Sequence, residues 1–451
     1  MEIASFSDVN KVFAKFDGTV IGVGVNAFNR IGPEKFLSNY RILSLSHNRT
    51  SVLIEKDIRT FSIEKRLGKQ YTKSRNPHSM LKEEMVREFL STFRDTYLLF
   101  YQITSPVEQI CRENGWNIIG IPQKQTAIRK KTEFRKVAKK LGIAVIPGEV
   151  LHSSELDYKR LRKKYGTFVL QLPGKDGGRG TFLIESEKNL ENIDGEVVIT
   201  KFISGTSPSV TGCVTRHGIL CSEARNQITD AEGCIRENAF GVFCGHDWSA
   251  PVPEKVRKKS REYTEKIGNY LKKSGYKGIF GLDMVFDGKE LYAVECNPRL
   301  LGTFPVYSML QLMRKEPSLM AFHMLEFIGM DYEIDLEKLN SMLQEKKKGS
   351  HVMLCNISGE TVTNHKSLKA GVYIHDKGLK YLRSGYQLED LRSEREFVLT
   401  DSVPFKGYVF KPNQRILKML SLSGMTVNNR LSQRFIEIIR AVYKSLDLRP
   451  V

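Results

Sequence analysis

Two short apolar runs late in the chain contain the residues best suited to chemistry. The segment GIFGLDMVFDGKELYAVECNPR places Asp283 in the first run and Glu295 and Asn297 in the second. Side chains alternate along a strand, so Glu295 and Asn297 share one face, and Arg299 follows if the extended chain continues past Pro298. Two carboxylates and an amide oxygen are hard ligands, and they suit a Mg²⁺ ion that bridges substrate phosphates. A neighbouring arginine could stabilise the charge that develops in phosphoryl transfer.

The turn between the two runs decides whether Asp283 joins Glu295. A three-residue loop at 288–290 pairs Asp287 with Leu291 and places Asp283 opposite Glu295, whereas a two-residue loop puts them on opposite faces. The glycine in DGKE favours the three-residue turn with a bulge. A salt-bridged surface hairpin is the alternative, but it does not explain carboxylates inside apolar runs, where an unpaired charge is costly.

A glycine-rich loop between two apolar strands is the second candidate. Residues 174–181 read GKDGGRGT, in which glycines let backbone N–H groups approach an anion while Lys175 and Arg179 supply positive charge. A Walker loop opens a helix, whereas the residues from Thr181 to Ile184 predict a strand. We therefore predict a hairpin flap that closes over phosphates, with an ordinary surface hairpin as the alternative.

The first part of the chain alternates short apolar runs with polar, helix-like stretches, which predicts an α/β layer. The expected strands are 20–25, 40–44, 51–54, 96–101 and 117–119, with a helix at 80–92. Residues 22–24 begin a weak GxGxxG pattern, for which a tight turn after the strand is the preferred interpretation.

A second region starts near residue 123 and contains both candidate segments. We expect a helix from Lys131 to Leu141 that ends at Gly142, and a second, long helix at 253–274. The expected strands are 143–146, 168–172, 181–185, 196–203, 209–215, 219–225, 278–286 and 291–296.

The last region is predicted to be small and β-rich. A helix at 336–345 precedes the run Lys346 to Ser350, which we interpret as a linker with solvated lysines. Short strands follow from His351, and a helix at 431–445 closes the chain. The predicted domains are therefore 1–122, 123–345 and 350–451.

Composition narrows the class of protein. The formal net charge of +19 favours an anionic partner, but no arginine-rich tract or aromatic-basic motif singles out nucleic acid. The seven cysteines are scattered without a CxxC pair, which is typical of a reduced cytosol. No basic, apolar leader begins the sequence and no apolar run approaches the roughly 18 residues of a membrane span. We expect a cytoplasmic protein with no membrane partner.

The order of these motifs resembles the ATP-grasp superfamily of carboxylate-amine ligase type. The resemblance rests on Lys131 opening a helix that ends at Gly142, the glycine loop, the strand VVITKFISG at 197–205 and the hairpin ending in ECNPR. It covers about residues 120–310, and the preceding α/β region matches the family's preceding domain. The implied fold class is α/β and α+β: an ATP-grasp fold with an N-terminal α/β pre-ATP-grasp domain, here followed by the small β-rich C-terminal domain.

The resemblance also implies cofactors and roles. The cofactors are ATP and Mg²⁺, with Mn²⁺ as an alternative ion. Asp283, Glu295 and Asn297 match the metal ligands, and Arg299 and Arg179 match catalytic arginines near the transferred phosphate. The positions that match nucleotide-binding residues are Lys131, Gln171, Gly177, Gly178, Gly180, Thr181, Thr200, Lys201 and Ile203.

Some positions depart from the family pattern. Gln171 replaces a second lysine, Thr200 stands where a glutamate is frequent, and GTSPSV lacks an acidic residue. These changes bear on ATP affinity and purine preference and leave the metal ligands in place.

The implied reaction forms an acyl phosphate from a carboxylate, which an amine then attacks. The expected partners are small-molecule carboxylates and amines, with an acidic carrier or a peptide as further candidates, and the oligomeric state stays open. Arg225, Asn226, Gln227, Asn238 and His246 are candidates for gripping the carboxylate, or are ordinary polar loop residues. The alternatives are a bicarbonate-activating carboxylase, a catalytically lapsed nucleotide-binding regulator and, last, a nucleic-acid binder. Cys296 points away from Glu295 and Asn297, so we interpret it as core packing.

Overall fold

The computed structural model of the protein describes residues 1–173, 180–236 and 239–451. Its first part is a five-stranded parallel sheet in the order β3-β2-β1-β4-β5, with helices around it. Helices on both faces explain why the strands are nearly continuous apolar runs. The strands are Thr19–Gly24 (β1), Tyr40–Ser44 (β2), Thr60–Ser62 (β3), Thr96–Leu99 (β4) and Asn117–Ile119 (β5). The helices are Phe6–Phe13 (α1), Arg49–Asp57 (α2), Ile63–Leu67 (α3), Pro77–Leu81 (α4), Glu84–Ser91 (α5) and Ser105–Glu113 (α6).

Two predictions for this part are wrong in detail. The segment 51–54 belongs to α2, because Asn48 caps that helix: its Oδ1 accepts from the backbone N of Thr50 and Ser51. A capping box of this kind starts a helix irrespective of the short apolar run that follows. The predicted helix at 80–92 is divided between α4 and α5, because Glu83 has an extended backbone (ψ 130°).

The middle part contains a four-stranded antiparallel sheet in the order β6-β9-β7-β8. Its strands are Gly148–His152 (β6), Phe168–Gln171 (β7), Thr181–Ile184 (β8) and Glu196–Lys201 (β9), and the adjoining helices are Lys131–Lys140 (α7) and Tyr158–Tyr165 (α8). The strand predicted at 143–146 is wrong. That segment makes a single bridge, from Val145 to Ala293, and lies outside this sheet.

A larger sheet of eleven strands carries the metal-site candidates. Its order is β15-β14-β10-β12-β13-β16-β22-β20-β18-β19, with β11 beside β10. The strands from the middle region are Pro208–Thr215 (β10), Gly218–Cys221 (β11), Arg225–Thr229 (β12), Phe243–Asp247 (β13), Gly278–Phe286 (β14) and Leu291–Asn297 (β15). The helices are Glu254–Lys273 (α9), Phe304–Met313 (α10), Leu319–Ile328 (α11) and Leu336–Leu343 (α12). The strand predicted at 219–225 is thus two strands, β11 and β12.

The last region continues the same sheet, since β13 pairs with Ser350–Cys355 (β16). The remaining strands are Val362–Asn364 (β17), Gly371–His375 (β18), Leu379–Arg383 (β19), Phe397–Thr400 (β20), Val409–Phe410 (β21), Arg415–Ser421 (β22), Thr426–Val427 (β23), Arg430–Leu431 (β24) and Leu448–Pro450 (β25), and the helix Gln433–Leu446 (α13) packs near the end. The α/β and α+β class is confirmed. The three domain limits stay a prediction.

The lysine run before β16 corrects the interpretation of a solvated linker. Lys346 and Lys348 are exposed, but Lys347 is buried. Its Nζ lies 3.3 Å from Glu223 Oε2 and 3.0 Å from Glu316 Oε2. A buried ammonium requires such partners, so this segment is anchored in the protein.

The cysteines and the lengths of the helices bear on two of the sequence-based expectations. All seven cysteines are free, and Cys296 is buried in a hydrophobic cluster, as predicted. Within the three described ranges, no helix is long and apolar enough to cross a bilayer.

Candidate active site

The turn of the β14–β15 hairpin differs from the prediction. Asp287 N donates to Glu290 O at 3.2 Å, which closes a two-residue turn at Gly288 and Lys289. Gly288 has a φ of 97°, a conformation that glycine adopts without strain. The expected three-residue turn is therefore wrong.

A bulge restores the alignment that a two-residue turn alone would lose. Met284 pairs with Ala293, but Asp283 pairs with Glu295, so Val294 is an extra residue on β15. A bulge of this kind shifts the register by one residue and re-aims the following side chains. The predicted pairing of Asp283 with Glu295 is confirmed, although the shift arises in the strand and not in the turn.

The two carboxylates are joined by amide groups. Asn297 Nδ2 donates to Asp283 Oδ2 at 2.9 Å and to Glu295 Oε1 at 3.1 Å. Gln227, on β12, donates from Nε2 to Asp283 Oδ1 at 2.6 Å. The structure thus brings together the three predicted metal ligands and adds Gln227, which the sequence indicated only as a substrate contact.

Lys131 lies against the same cluster. Its Nζ is 2.7 Å from Glu295 Oε2, and the residue is buried at the start of α7, which packs against β15. The resemblance indicated Lys131 as a nucleotide-binding residue, and the sequence gave no indication of this ion pair, because the two residues lie 164 positions apart. Before any phosphate arrives, Glu295 holds the ammonium group in place.

The pKa values of the two carboxyl groups are shifted in opposite directions. Burial and the charge of Glu295 raise the pKa of Asp283 well above its usual value. Burial alone would also raise the pKa of Glu295, but Lys131 and Asn297 hold it below the ordinary range. A divalent cation among these oxygens would lower the pKa of Asp283, so the donor set fits Mg²⁺. Within the described ranges, no group of three or more acidic, histidine or cysteine side chains is placed to hold a metal ion, and the amide of Asn297 is the third predicted ligand beside the two carboxylates.

Arg299 connects the hairpin to the first part of the chain. Its Nη2 donates to Asn297 Oδ1 at 3.1 Å, and its Nη1 donates to the hydroxyl of Tyr101. The guanidinium carbon lies 4.5 Å from the centroid of the Tyr101 ring. Tyr101 follows β4, at the carboxyl end of the parallel sheet. Tyr101 was not among the site residues predicted from the sequence. Its position at the end of a predicted strand could have indicated one, since ligands of open α/β sheets bind at this end.

The nucleotide-binding candidates lie mainly on the four-stranded sheet. Gln171 pairs with Thr181, and Leu172 N donates to Gly180 O at 2.8 Å, so strands β7 and β8 flank the loop as the flap prediction requires. Thr200 lies in β9 opposite Gly148 and Val169, Lys201 ends that strand, and Ile203 follows it. Gly177, Gly178 and Arg179 lie outside the described residues.

The substrate candidates lie beside the carboxylates on the larger sheet. Arg225 is buried, and its Nη2 donates to Thr211 Oγ1 at 2.8 Å. Its guanidinium lies 5.8 Å from the ring centroid of Trp248 and 5.7 Å from that of Tyr307, two residues that the sequence did not single out.

His246 lies in the neighbouring strand. Its Nε2 is 3.3 Å from Ser209 Oγ, and Ser209 pairs with Asp283. Asn226 instead turns to Pro251 O at 3.4 Å. Asn238 lies outside the described residues.

Comparison with known proteins agrees with this geometry. Residues 129–303 match the family described as ATP-grasp domain, and this part of the chain is an ATP-grasp domain. The chain is 25% identical over 248 residues to the carbamoyl phosphate synthase large chain of Clostridium acetobutylicum, an alignment covering 52% of this chain and 22% of that one. It is 22% identical over 234 residues to the phosphoribosylamine-glycine ligase of Thermotoga maritima, covering 48% and 53%.

Solved structures show the same fold. The biotin carboxylase of Campylobacter jejuni, in its beta-gamma-ATP complex, superposes with a TM-score of 0.58 at 17% identity, covering 90% of this chain and 88% of that one. The curated relatives share only part of their length with this chain, 22% and 53% in the two alignments above. The ATP-grasp fold predicted from the sequence is confirmed.

Proposed function

We propose that the protein is an ATP-dependent ligase that activates a carboxylate as an acyl phosphate and joins it to an amine. The observation that supports this most strongly is the Asp283–Glu295 pair with Lys131 and Arg299 beside it, inside an ATP-grasp domain. Carboxylates flanked by two cations suit a metal-bound polyphosphate on which negative charge is redistributed.

Each residue has a role that its position supports. Asp283, Glu295 and the amide oxygen of Asn297 would hold Mg²⁺, which when bound neutralises phosphate charge. Lys131 and Arg299 stabilise negative charge on the transferred phosphoryl group. Gln227 and the Tyr101 hydroxyl fix the orientation of Asp283 and Arg299 respectively.

The nucleotide contacts belong to the four-stranded sheet in this proposal. Gln171 and Thr181 stand at the two ends of the flap and contact phosphates, together with Gly177, Gly178, Gly180 and Arg179. Thr200, Lys201 and Ile203 contact the purine through β9 and the residues after it.

The acyl substrate would lie next to Asp283, over β10, β12 and β13. Among the described residues, several buried polar atoms in this area have no hydrogen-bond partner: Arg225 Nε, His246 Nδ1, Trp248 Nε1 and both ring nitrogens of His351. Buried donors left unpaired are costly, and a carboxylate would accept from them. The position supports Arg225 as the main contact of the substrate carboxylate.

The test is release of ADP in the presence of Mg²⁺, ATP, and a panel of amino acids and small carboxylates. A carboxylate labelled with ¹⁸O should transfer one labelled oxygen to the released phosphate if an acyl phosphate forms. Failure of the protein to bind Mg-ATP at millimolar concentration would contradict the proposal.

Glu295→Gln removes one metal-site charge while preserving the side-chain shape. We expect ADP formation to fall at least about 100-fold, because electrostatic stabilisation of the phosphoryl group is lost. Glu290→Gln is the matched control: it lies at the turn of the same hairpin, where it pairs with Lys259, and should keep full activity. Equal activity of the two variants would contradict the assignment of Glu295 as a metal ligand.

Two other activities give different results in the same assay. A bicarbonate-activating carboxylase would cleave ATP when bicarbonate alone is added. A lapsed nucleotide-binding protein would bind Mg-ATP without turnover in any mixture.

The partners proposed are a small-molecule carboxylate and an amine, with a carrier protein or peptide as a larger substrate of the same chemistry. The proposed location is the cytoplasm, where ATP is available.

A further inference from the structure

A polar cavity lies between the first and last regions of the chain. Its volume is about 240 Å³, equivalent to about eight liquid waters, which is the size of a small metabolite. The two regions meet around it: Arg49 N donates to Val403 O at 2.9 Å, and Gln70 Nε2 donates to Val409 O at 2.9 Å. Residues of both regions border it, among them Asn26, Asn29, Asn48, Arg75, Gln414 and Arg415.

The position in the fold is one where ligands bind. Val25 and Asn26 follow β1, and Ser46 and Asn48 follow β2, so the cavity opens at the carboxyl ends of the parallel strands. The strand order reverses between β1 and β4, so the residues that follow β1 border both this cavity and the crevice in which open α/β sheets bind ligands.

The lining is cationic. Among the described residues, no aspartate or glutamate borders the cavity, whereas Arg75 and Arg415 do. The carboxylate partner of Arg75 is Glu64, at 3.0 Å, and Glu64 is buried and does not itself border the cavity.

Arg415 belongs to a second charged group with an excess of positive charge. Asp401 Oδ2 lies 2.8 Å from Arg415 Nη1 and 3.6 Å from Lys418 Nζ, so two cations face this carboxylate. Both cations also approach Asn29 Oδ1, at 3.5 Å and 3.2 Å. The uncompensated charge favours an anionic ligand in the cavity.

A buried donor and a helix end point to the same ligand. Asn48 is 2% exposed, and its Nδ2 has no hydrogen-bond partner among the described residues. Its Oδ1 caps α2, so the positive end of the helix dipole lies at the cavity. An anion there would accept a hydrogen bond that Asn48 otherwise lacks.

The cavity adjoins the proposed reaction centre. β1, which leads into Val25 and Asn26, pairs in parallel with β4, which leads into Tyr101, and Gly22 lies opposite Leu99. Tyr101 contacts Arg299. A cationic environment also keeps a neighbouring amine neutral and nucleophilic, since it lowers the pKa of the amine.

We propose that this cavity binds the anionic group, carboxylate or phosphate, of the amine substrate. The role as amine site rests on the proposed ligase function, whereas anion binding does not. A ligand held here presents its amine toward Tyr101 and Arg299.

The test is calorimetric titration of the full chain, without nucleotide and at constant ionic strength, with L-aspartate and with glycerol 3-phosphate. We expect one of the two probes to bind, which identifies the anion as a carboxylate or a phosphate. Because ATP is absent, an inactive ligase does not affect the result. Absence of binding by both probes would overturn the proposal.

Asn48→Asp keeps the helix cap but replaces the free donor with a negative charge, and we expect affinity for the bound probe to fall at least about tenfold. Asn76→Asp is the matched control, since Asn76 caps α4 in the same way and does not border the cavity. If thermal unfolding shows that Asn48→Asp is misfolded, Gln414→Glu adds a charge from the opposite wall. Unchanged affinity in a folded variant of either kind would overturn the assignment.

Discussion

Among the buried charged side chains, Lys347 is the one whose burial and ion pairs are least predictable from the sequence. It lies between two exposed lysines, and nothing in KKK distinguishes it. Its partners Glu223 and Glu316 come from distant parts of the chain. By contrast, Asp283 and Glu295 could be predicted, because a carboxylate within an apolar run requires an explanation wherever the chain folds.

The burial of Lys347 predicts a large effect on stability. Lys347→Met leaves Glu223 without its cation, and we expect the free energy of unfolding to fall by about 3 kcal/mol in urea denaturation. Lys348→Met, the exposed neighbour, should change it by less than about 0.5 kcal/mol. Equal stability of the two variants would mean that the ion pairs contribute nothing.

At the scale of elements, the hairpin shows where periodicity succeeds and fails. Alternation along two strands predicted which side chains share a face, and the strands lie where expected. The bulge at Val294 could not be predicted, because it depends on pairing with β14 and not on the local sequence. The same limit applies to the segment 51–54, where a cap at Asn48 prevailed over a short apolar run.

The two-residue turn predicts a specific role for Gly288. Its φ of 97° is unfavourable for other residues, and a Cβ there would meet no atom within 4 Å, so strain is the whole effect. We expect Gly288→Ala to lower the free energy of unfolding by about 1–2 kcal/mol. Gly302→Ala is the control, because Gly302 lacks a positive φ and its nearest contact would be 4.0 Å away. A loss no greater than that of the control would place the turn in another conformation.

At the scale of the whole molecule, one sheet extends from the metal-site hairpin into the last region. Composition and strand pattern predicted the β-rich end, but not that β16 pairs with β13, since pairing between distant strands leaves no local signal. As a result, the cavity and the carboxylate pair belong to one continuous structure. Positive charge gathered around these sites agrees with the net charge of +19 and with anionic substrates.

We propose that oxygen atoms of Asp283, Glu295 and Asn297 hold the metal-bound tail of a nucleotide. The most direct measurement is the affinity for ATP with and without Mg²⁺, compared between the protein, Asp283→Asn, and Asp287→Asn as a control at the turn. We expect Mg²⁺-dependent binding that Asp283→Asn weakens about tenfold or more, while the control binds as the unaltered protein does. Equal Mg-ATP affinity in all three proteins would contradict it.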